Sequence, residues 1–165
     1  MKGRFYMVIS FGANKKRILA VIVLVALAVA AFFLIPEKPE QPVYTAVTND
    51  ERIAFLSSFG WTIEEEPMDV REVIIPAEFS DVYTAYNEMQ CAQGFDLKPY
   101  AGEKCTQYRY IVTNYPEQSD TVIATLLIFG DRIIGGDLAC DTENGFMHGF
   151  APNSEPYKMP ENAVS

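Results

Sequence analysis

Residues 121–140 read TVIATLLIFGDRIIGGDLAC, and this stretch decides the fold. Residues 121–129 are apolar on both faces of a strand apart from Thr125, which is typical of a central strand. Gly130-Asp131 has the composition of a two-residue hairpin turn, so a second strand is predicted over residues 132–140. Gly135-Gly136 predicts a β-bulge within that strand. The stretch therefore predicts an antiparallel pair of strands in the interior of a sheet.

Two further strands are predicted before this hairpin. Residues 105–114 alternate with the period of two that is typical of a half-buried strand. Residues 70–75 are rich in β-branched residues and end at Pro76. Residues 61–63 are expected to begin another strand, and the acidic residues 64–66 form a turn or a bulged edge after it.

Two helices are predicted in the same region. Thr48 and Glu51 form a capping box that opens the first helix, and Gly60 is placed to end it. Residues 77–93 carry apolar side chains at the spacing of one helix face, and Gly94 follows them.

The elements in order are αβαβββ, which predicts an α+β fold with a mostly antiparallel sheet. Both helices are expected to pack on one face of that sheet. Tyr83 and Tyr86 of the second helix are then expected to meet Tyr108 and Tyr110 of the sheet.

Residues 18–35 read ILAVIVLVALAVAAFFLI, eighteen apolar residues that would span about 27 Å as a helix, close to the thickness of the hydrocarbon core of a bilayer. Residues 1–17 hold five bases and no acid, which predicts a cytoplasmic N-terminus. We therefore expect a single-pass signal anchor in the cell membrane, with lipid as the partner of residues 18–35 and the rest of the chain outside. The alternative is a cleaved signal peptide, because residues 28–30 have the small-x-small form. The apolar run continues beyond that site, which favours the uncleaved anchor.

The remaining chain divides into a linker, a folded domain and a tail. Residues 36–47 carry three prolines, as in a polyproline II linker, and residues 151–165 are expected to be a mobile, disordered tail. The domain at residues 48–150 holds six bases and eighteen acids, within a chain of net charge -9 and mean hydropathy +0.03. This balance excludes an extended basic surface for nucleic acid.

The cysteines Cys91, Cys105 and Cys140 are too few and too scattered for a zinc ribbon or a redox pair. In an oxidising exterior, Cys91 and Cys105 are the candidate pair for a disulfide because they are nearest in sequence. The alternative is that all three are small buried hydrophobic residues. We expect no metal site and no cofactor.

His148 is the only histidine of the chain. It could act as a base with Cys140 as nucleophile, or bind a metal together with Asp137 and other carboxylates. The sequence offers no third orienting group and no recognised ligand spacing, so we expect no catalytic residue here. The alternative is that the aromatic residues around His148 pack its loop against the sheet, while His148 makes a local hydrogen bond.

Aromatic residues beside turns are better candidates for binding. Trp61, Tyr100 and Tyr115 lie next to turns and are predicted to be on the surface, where such rings bind peptides or sugars by stacking and hydroxyl contacts. Arg109, one of only six bases in the domain, and His148 complete the set of candidate binding residues.

Several strings of residues carry a resemblance to a known family. They are RIAFL at 52–56 with FGW at 59–61, QGFDL at 93–97, VTNYP at 112–116, IGGD at 134–137 and GFMHG at 145–149. Over about residues 50–150 they resemble an uncharacterised family, domain of unknown function 4830 (DUF4830). The resemblance implies a short membrane-anchored exported protein of a clostridial Gram-positive bacterium, and it brings no activity, cofactor or catalytic residue. It also implies ordinary polar residues where this chain has Cys91 and Cys105, so a disulfide between these positions is not expected to be a general feature of the family.

Three functions are consistent with these features. We expect a binding or sensing module for an envelope protein or peptide, held outside the membrane, rather than an enzyme. A second hypothesis is a small regulator or inhibitor of exported enzymes, which adds a strand at the acidic edge of residues 64–66 or at the edge of the last three strands. A third is a small hydrolase that uses His148 with Asp137 or Cys140. Convergence of these three side chains in one pocket would favour the hydrolase, whereas an unpaired sheet edge or an open aromatic patch would favour binding.

Overall fold

The computed structural model describes residues 18, 20–26, 43–116, 120–140, 142 and 145–158. The chain divides into two units, Met1–Glu40 and Gln41–Ser165. In the first unit, residues 18 and 20–26 are helical and carry exposed apolar side chains. Among the described residues, no helix is both long and apolar enough to cross a membrane. The predicted stub at residues 1–17, most of the predicted anchor and residues 36–42 of the predicted linker lie outside the described residues.

The second unit is built on one antiparallel sheet. Strand order follows chain order and every neighbouring pair is antiparallel, so the sheet is a meander with a helix inserted after its first strand. The helices are Asn49–Ser58 (α1), Asp81–Ala92 (α2) and the short 3-10 helix Lys98–Tyr100, and the strands are Asp69–Ile74 (β1), Lys104–Val112 (β2), Val122–Phe129 (β3), Arg132–Cys140 (β4) and Phe146–His148 (β5). The predicted α+β class is confirmed, and β5 is an additional strand.

Both main helices begin where side chains cap them. The Thr48 hydroxyl accepts from the Glu51 backbone N–H at 3.2 Å, and the Glu51 carboxylate accepts from the Thr48 N–H at 2.9 Å, which is the predicted capping box. α2 begins later than predicted because the Ser80 hydroxyl accepts from the Tyr83 N–H and caps the helix at that point.

The hairpin between β3 and β4 matches its prediction. Phe129 lies opposite Arg132, with Gly130-Asp131 as the turn between them. One bulged residue, Ile134, follows in β4 immediately before the predicted Gly135-Gly136. The turn and the bulge together determine which residues of β3 and β4 lie side by side.

Two segments differ from their predictions. Residues 61–63 do not form a strand; Ile63 alone pairs with Val112 of β2, in a single β-bridge. Residues 151–158 of the predicted tail are described, and the Tyr157 N–H donates to the Met147 carbonyl of β5 at 2.7 Å. This part of the tail therefore pairs with the last strand, whereas residues 159–165 lie outside the described residues.

The helices pack on opposite faces of the sheet, so the prediction that both lie on one face is wrong. We call the face that carries Tyr110 and Leu138 the first face, and the face that carries Arg109 and Asp137 the second face. α1 packs on the first face and α2 on the second. The physical reason is β3, which is apolar on both faces and must be covered on both to be buried.

α1 packs against Tyr108 and Tyr110, and the tyrosines of α2 do not. The link is the buried Arg52 of α1, whose Nε donates to the Tyr110 hydroxyl at 2.8 Å and whose guanidinium lies 4.0 Å above the centre of the Tyr108 ring. Tyr83 and Tyr86 pack on the second face instead, against a separate apolar cluster.

Candidate functional site

α2 covers only part of the second face and leaves beside it a groove, which we call the sheet groove. It has a volume of about 740 Å³ and extends across the sheet from β1 to β5. Apolar and aromatic side chains form its walls: Ile75, Leu127 and Met147, with Tyr83 and Tyr86 of α2 and Tyr157 of the C-terminal segment.

A row of polar side chains crosses the sheet at the floor of this groove. Arg109 of β2 has Asp69 opposite it on β1 and Thr125 opposite it on β3. Thr125 in turn lies opposite Asp137 of β4. Because directly opposed residues in a sheet point to the same face, the row places a guanidinium, a hydroxyl and a carboxylate side by side.

A second guanidinium enters the groove from β1. Arg71 is two residues beyond Asp69 and therefore on the same face. Its Nε donates to the Gln107 side-chain oxygen at 2.7 Å and lies 3.4 Å from Asp69 Oδ2. Both members of the ion pair are solvent exposed, so it adds little stability and leaves Arg71 able to bind another anion.

Asp137 is the buried acid of the groove, with only 4% of its surface exposed. The Tyr86 hydroxyl donates to its Oδ2 at 2.7 Å. Burial raises the pKa of Asp137 to about 6, while the Tyr86 hydrogen bond and the positive charge of Arg109 oppose that rise. Burial also raises the pKa of Tyr86 well above its ordinary value, and Asp137 adds to the effect. A buried carboxyl group whose pKa is raised by burial, and which lines a groove, is a candidate functional group.

Three of the predicted binding residues meet in a buried cluster on the first face. Trp61 and Tyr115 stack with their ring centroids 5.4 Å apart, and the Tyr115 hydroxyl lies 2.8 Å from His148 Nε2. The Trp61 ring N–H donates to the Phe150 carbonyl at 2.6 Å. Trp61 and His148 are each only 5% exposed, so the prediction that Trp61 lies on the surface is wrong.

The hydrogen bonds of His148 determine its tautomer. Nδ1 lies 2.6 Å from the Gly149 carbonyl oxygen, which can only accept. Nδ1 therefore carries the proton of the neutral ring, and Nε2 accepts from the Tyr115 hydroxyl. Both ring nitrogens are thus occupied by local hydrogen bonds.

Tyr115→Phe is expected to destabilise the domain by about 1–3 kcal/mol, because it leaves the buried Nε2 of His148 without its donor. Denaturant unfolding can be followed by the fluorescence of Trp61, the only tryptophan of the chain, which stacks on Tyr115. The control is Tyr100→Phe, since the Tyr100 hydroxyl makes no hydrogen bond to another described residue. Equal losses in the two variants would contradict the assigned hydrogen bond.

The other two predicted binding residues lie elsewhere. The ring of Tyr100 packs against Phe129, with centroids 5.2 Å apart, beside the apolar cluster of the second face. Arg109 lies in the floor of the sheet groove. Of the five candidates, Arg109 is therefore the one that lines the groove.

Arg71 and Tyr86 are not predicted as site residues from the sequence, and Asp137 is predicted only as a partner of His148. A signal for the polar row is nevertheless present. Thr125 and Asp137 interrupt the apolar runs of β3 and β4, and the Gly130-Asp131 turn with one bulge places them opposite each other.

The side chains of the hydrolase hypothesis do not converge in one pocket. Asp137 points to the second face, whereas His148 lies opposite Leu138 and points to the first. The described residues contain no group of three His, Cys, Asp or Glu side chains that could hold a metal ion.

The cysteines are thiols in the structure. Cys91 is exposed on α2, whereas Cys105 and Cys140 are buried in the apolar clusters of the second and first faces. Burial raises the pKa of the Cys105 thiol. Between the described residues Cys91 and Cys105 no disulfide is formed.

Fold and site together define a small α+β domain whose five-stranded antiparallel sheet carries a ligand-sized groove on one face. The chain belongs to the family described as Domain of unknown function (DUF4830), whose sequence profile matches residues 55–138, about half of the chain. This match confirms the resemblance to that family. No curated protein and no solved structure matches the chain. Arg71, Arg109 and Asp137 all lie within the matched residues, and His148 lies beyond them.

Proposed function

We propose that this protein is a binding module and that its sheet groove holds a carboxylate of the ligand, such as the C-terminus of an envelope peptide. The observation that carries the proposal is the entry of two guanidinium groups, Arg71 and Arg109, into one groove of a domain that has eighteen acids. A guanidinium offers paired N–H donors that match the two oxygens of a carboxylate. The apolar and tyrosine walls would bury the remainder of a peptide.

The acidic surface supports a localised rather than a general affinity for anions. A strongly negative domain repels anionic ligands except where nearby cations reverse the local potential. Of the six bases of the domain, Arg52 is buried against Tyr108 and Tyr110, which leaves few that can serve a ligand. Two of the remaining five line the sheet groove.

The proposal includes an anchored, extracytoplasmic location. It is supported by the eighteen apolar residues at 18–35 and by the five bases that precede them. The three prolines of the linker favour an extended spacer that would hold the module away from the lipid surface.

A second candidate function is regulation by strand addition at β1. This strand is the first in the sheet order, and among the described residues it has a partner strand on one side only. Val70 and Ile74, which share one face of β1, are 48% and 62% exposed. The opposite edge, β5, is already paired with the segment around Tyr157, so β1 is the better edge for an extended partner.

The hydrolase hypothesis has less support than either binding function. His148 is buried and both of its ring nitrogens accept or donate local hydrogen bonds. A general base must reach a substrate proton, and His148 lies on the face of the sheet opposite to the groove.

Arg109→Gln is expected to weaken binding of peptides with a free C-terminus about 10- to 100-fold, because a hydrogen bond between charged groups contributes about 1.5–3 kcal/mol. The test uses the full chain in detergent and a pool of short peptides with free C-termini. Calorimetry gives the affinity, and NMR chemical shifts identify the residues that contact the pool.

The matched control is Arg132→Gln, which removes an exposed guanidinium that pairs with Asp131 outside the groove. We expect it to bind like the wild type, and we expect a C-terminally amidated pool to bind poorly. Equal binding of the amidated pool, or equal weakening in both variants, would contradict the proposal. Shift changes along the free edge of β1, with the groove unchanged, would favour the second candidate.

A further inference from the structure

We propose that the ligand of the sheet groove also carries a primary ammonium group, which Asp137 binds, so that the ligand is a short peptide with both termini free. This inference rests on the proposed carboxylate site and adds a cation site at the other end of the polar row. Three independent features of the groove lead to it.

The first feature is the way in which the Asp137 carboxylate is held. It is 4% exposed and lines the groove, and it accepts a hydrogen bond from the neutral Tyr86 hydroxyl. Buried carboxylates in proteins are normally paired with a cation. Among the described residues, no lysine, arginine or histidine forms an ion pair with Asp137. The positive charge of Arg109 acts on Asp137 without forming an ion pair with it, and a ligand ammonium would supply that direct pair.

The second feature is a wall of three tyrosine rings beside that carboxylate. Tyr83 and Tyr86 have ring centroids 5.7 Å apart, and Tyr86 and Tyr157 have centroids 6.5 Å apart. All three residues line the sheet groove. The face of an aromatic ring attracts a cation, so the wall and the carboxylate favour the same kind of group.

The third feature is the position of a basic and an acidic residue on strands two apart in the polar row. Arg109 and Asp137 stand two strands apart, with Thr125 between them, so their backbones are about 10 Å apart at the usual strand separation. An extended chain spans about 3.3–3.6 Å per residue, so a dipeptide or tripeptide spans about 7–10 Å. Its carboxylate can reach Arg109 while its ammonium reaches Asp137.

The experiment compares the full chain with its Asp137→Asn variant, using pooled dipeptides and tripeptides in three forms. One pool has both termini free, the second is N-acetylated and the third is C-terminally amidated. Asparagine keeps an acceptor for the Tyr86 hydroxyl but carries no charge. We expect N-acetylation to weaken binding to the wild type at least tenfold and to leave binding to the Asp137→Asn variant unchanged.

The control variant is Asp131→Asn, which neutralises an exposed acid in the hairpin turn and should respond to N-acetylation like the wild type. If the acetylated pool binds the wild type as tightly as the free pool, the ammonium inference is overturned while the carboxylate site stands. An equal response to acetylation in the wild type and in Asp137→Asn also overturns it. If amidation has no effect, or if no pool binds, the proposed carboxylate site fails as well.

Discussion

Gly136→Ala is expected to destabilise the domain by about 4 kcal/mol or more, which is exceptional for the addition of one methyl group. A Cβ at this position would overlap the Thr125 carbonyl oxygen and lie 2.5 Å from Phe150 Cζ. Neither neighbour can withdraw easily, since the carbonyl belongs to the central strand β3 and the Phe150 side chain is fully buried. The backbone at Gly136 also has φ of 155°, which L residues rarely adopt.

Denaturant unfolding followed by Trp61 fluorescence measures the effect. The control is Gly130→Ala, at the hairpin turn, where φ is 63° but an added Cβ would meet no atom within 4 Å. That variant should lose about 1 kcal/mol from backbone strain alone. A loss at Gly136 no larger than the loss at Gly130 would contradict the packing around Gly136.

The sheet was largely predictable because its signals are local. The Gly130-Asp131 turn, the capping box at Thr48 and Glu51, and the β-branched run in β1 each act over a few residues, and each is found where the sequence predicts it. β5 was missed because three residues are too few to show a period of two, and the strand is held by pairing with β4.

The side of the sheet on which each helix packs was not predictable from the helix alone. The spacing of Tyr83 and Tyr86 shows that α2 has a buried face, but it does not say which sheet face receives that helix. The apolar residues on both faces of β3 indicate that one helix packs on each face, because both faces of that strand must be buried.

The candidate site was predictable only in part for a related reason. Trp61 lies beside a turn, yet its ring donates to a carbonyl 89 residues away in sequence, and that long-range contact buries it. Arg109 was identified because bases are scarce in this domain. Its neighbours in the groove, Tyr86 and Asp137, come from α2 and β4. Their proximity therefore depends on the sheet face against which α2 packs and on the register of β4 against β3 after the bulge.

Asp137→Asn is expected to stabilise the ligand-free domain by about 3 kcal/mol at neutral pH, although it removes a proposed binding group. In the folded domain the pKa of Asp137 is raised from an ordinary value of 3.8 to about 6, so the folded state binds the proton more tightly than the unfolded state. The contribution of Asp137 to stability therefore falls as pH rises from about 4 to about 6, and it stays low at higher pH. A shift of about two pKa units corresponds to about 3 kcal/mol.

The quantity to measure is the difference in unfolding free energy between Asp137→Asn and the wild type, because the other titrating groups cancel in that difference. Trp61 fluorescence should show almost no difference near pH 4 and the full difference near pH 8. A difference that is constant with pH, or a wild type that is the more stable protein near pH 8, would contradict the raised pKa. The expected result means that the ionised Asp137 carboxylate lowers the unfolding free energy of the ligand-free domain. A residue with that effect is consistent with a binding role, and a cationic ligand that pairs with it should restore the lost stability.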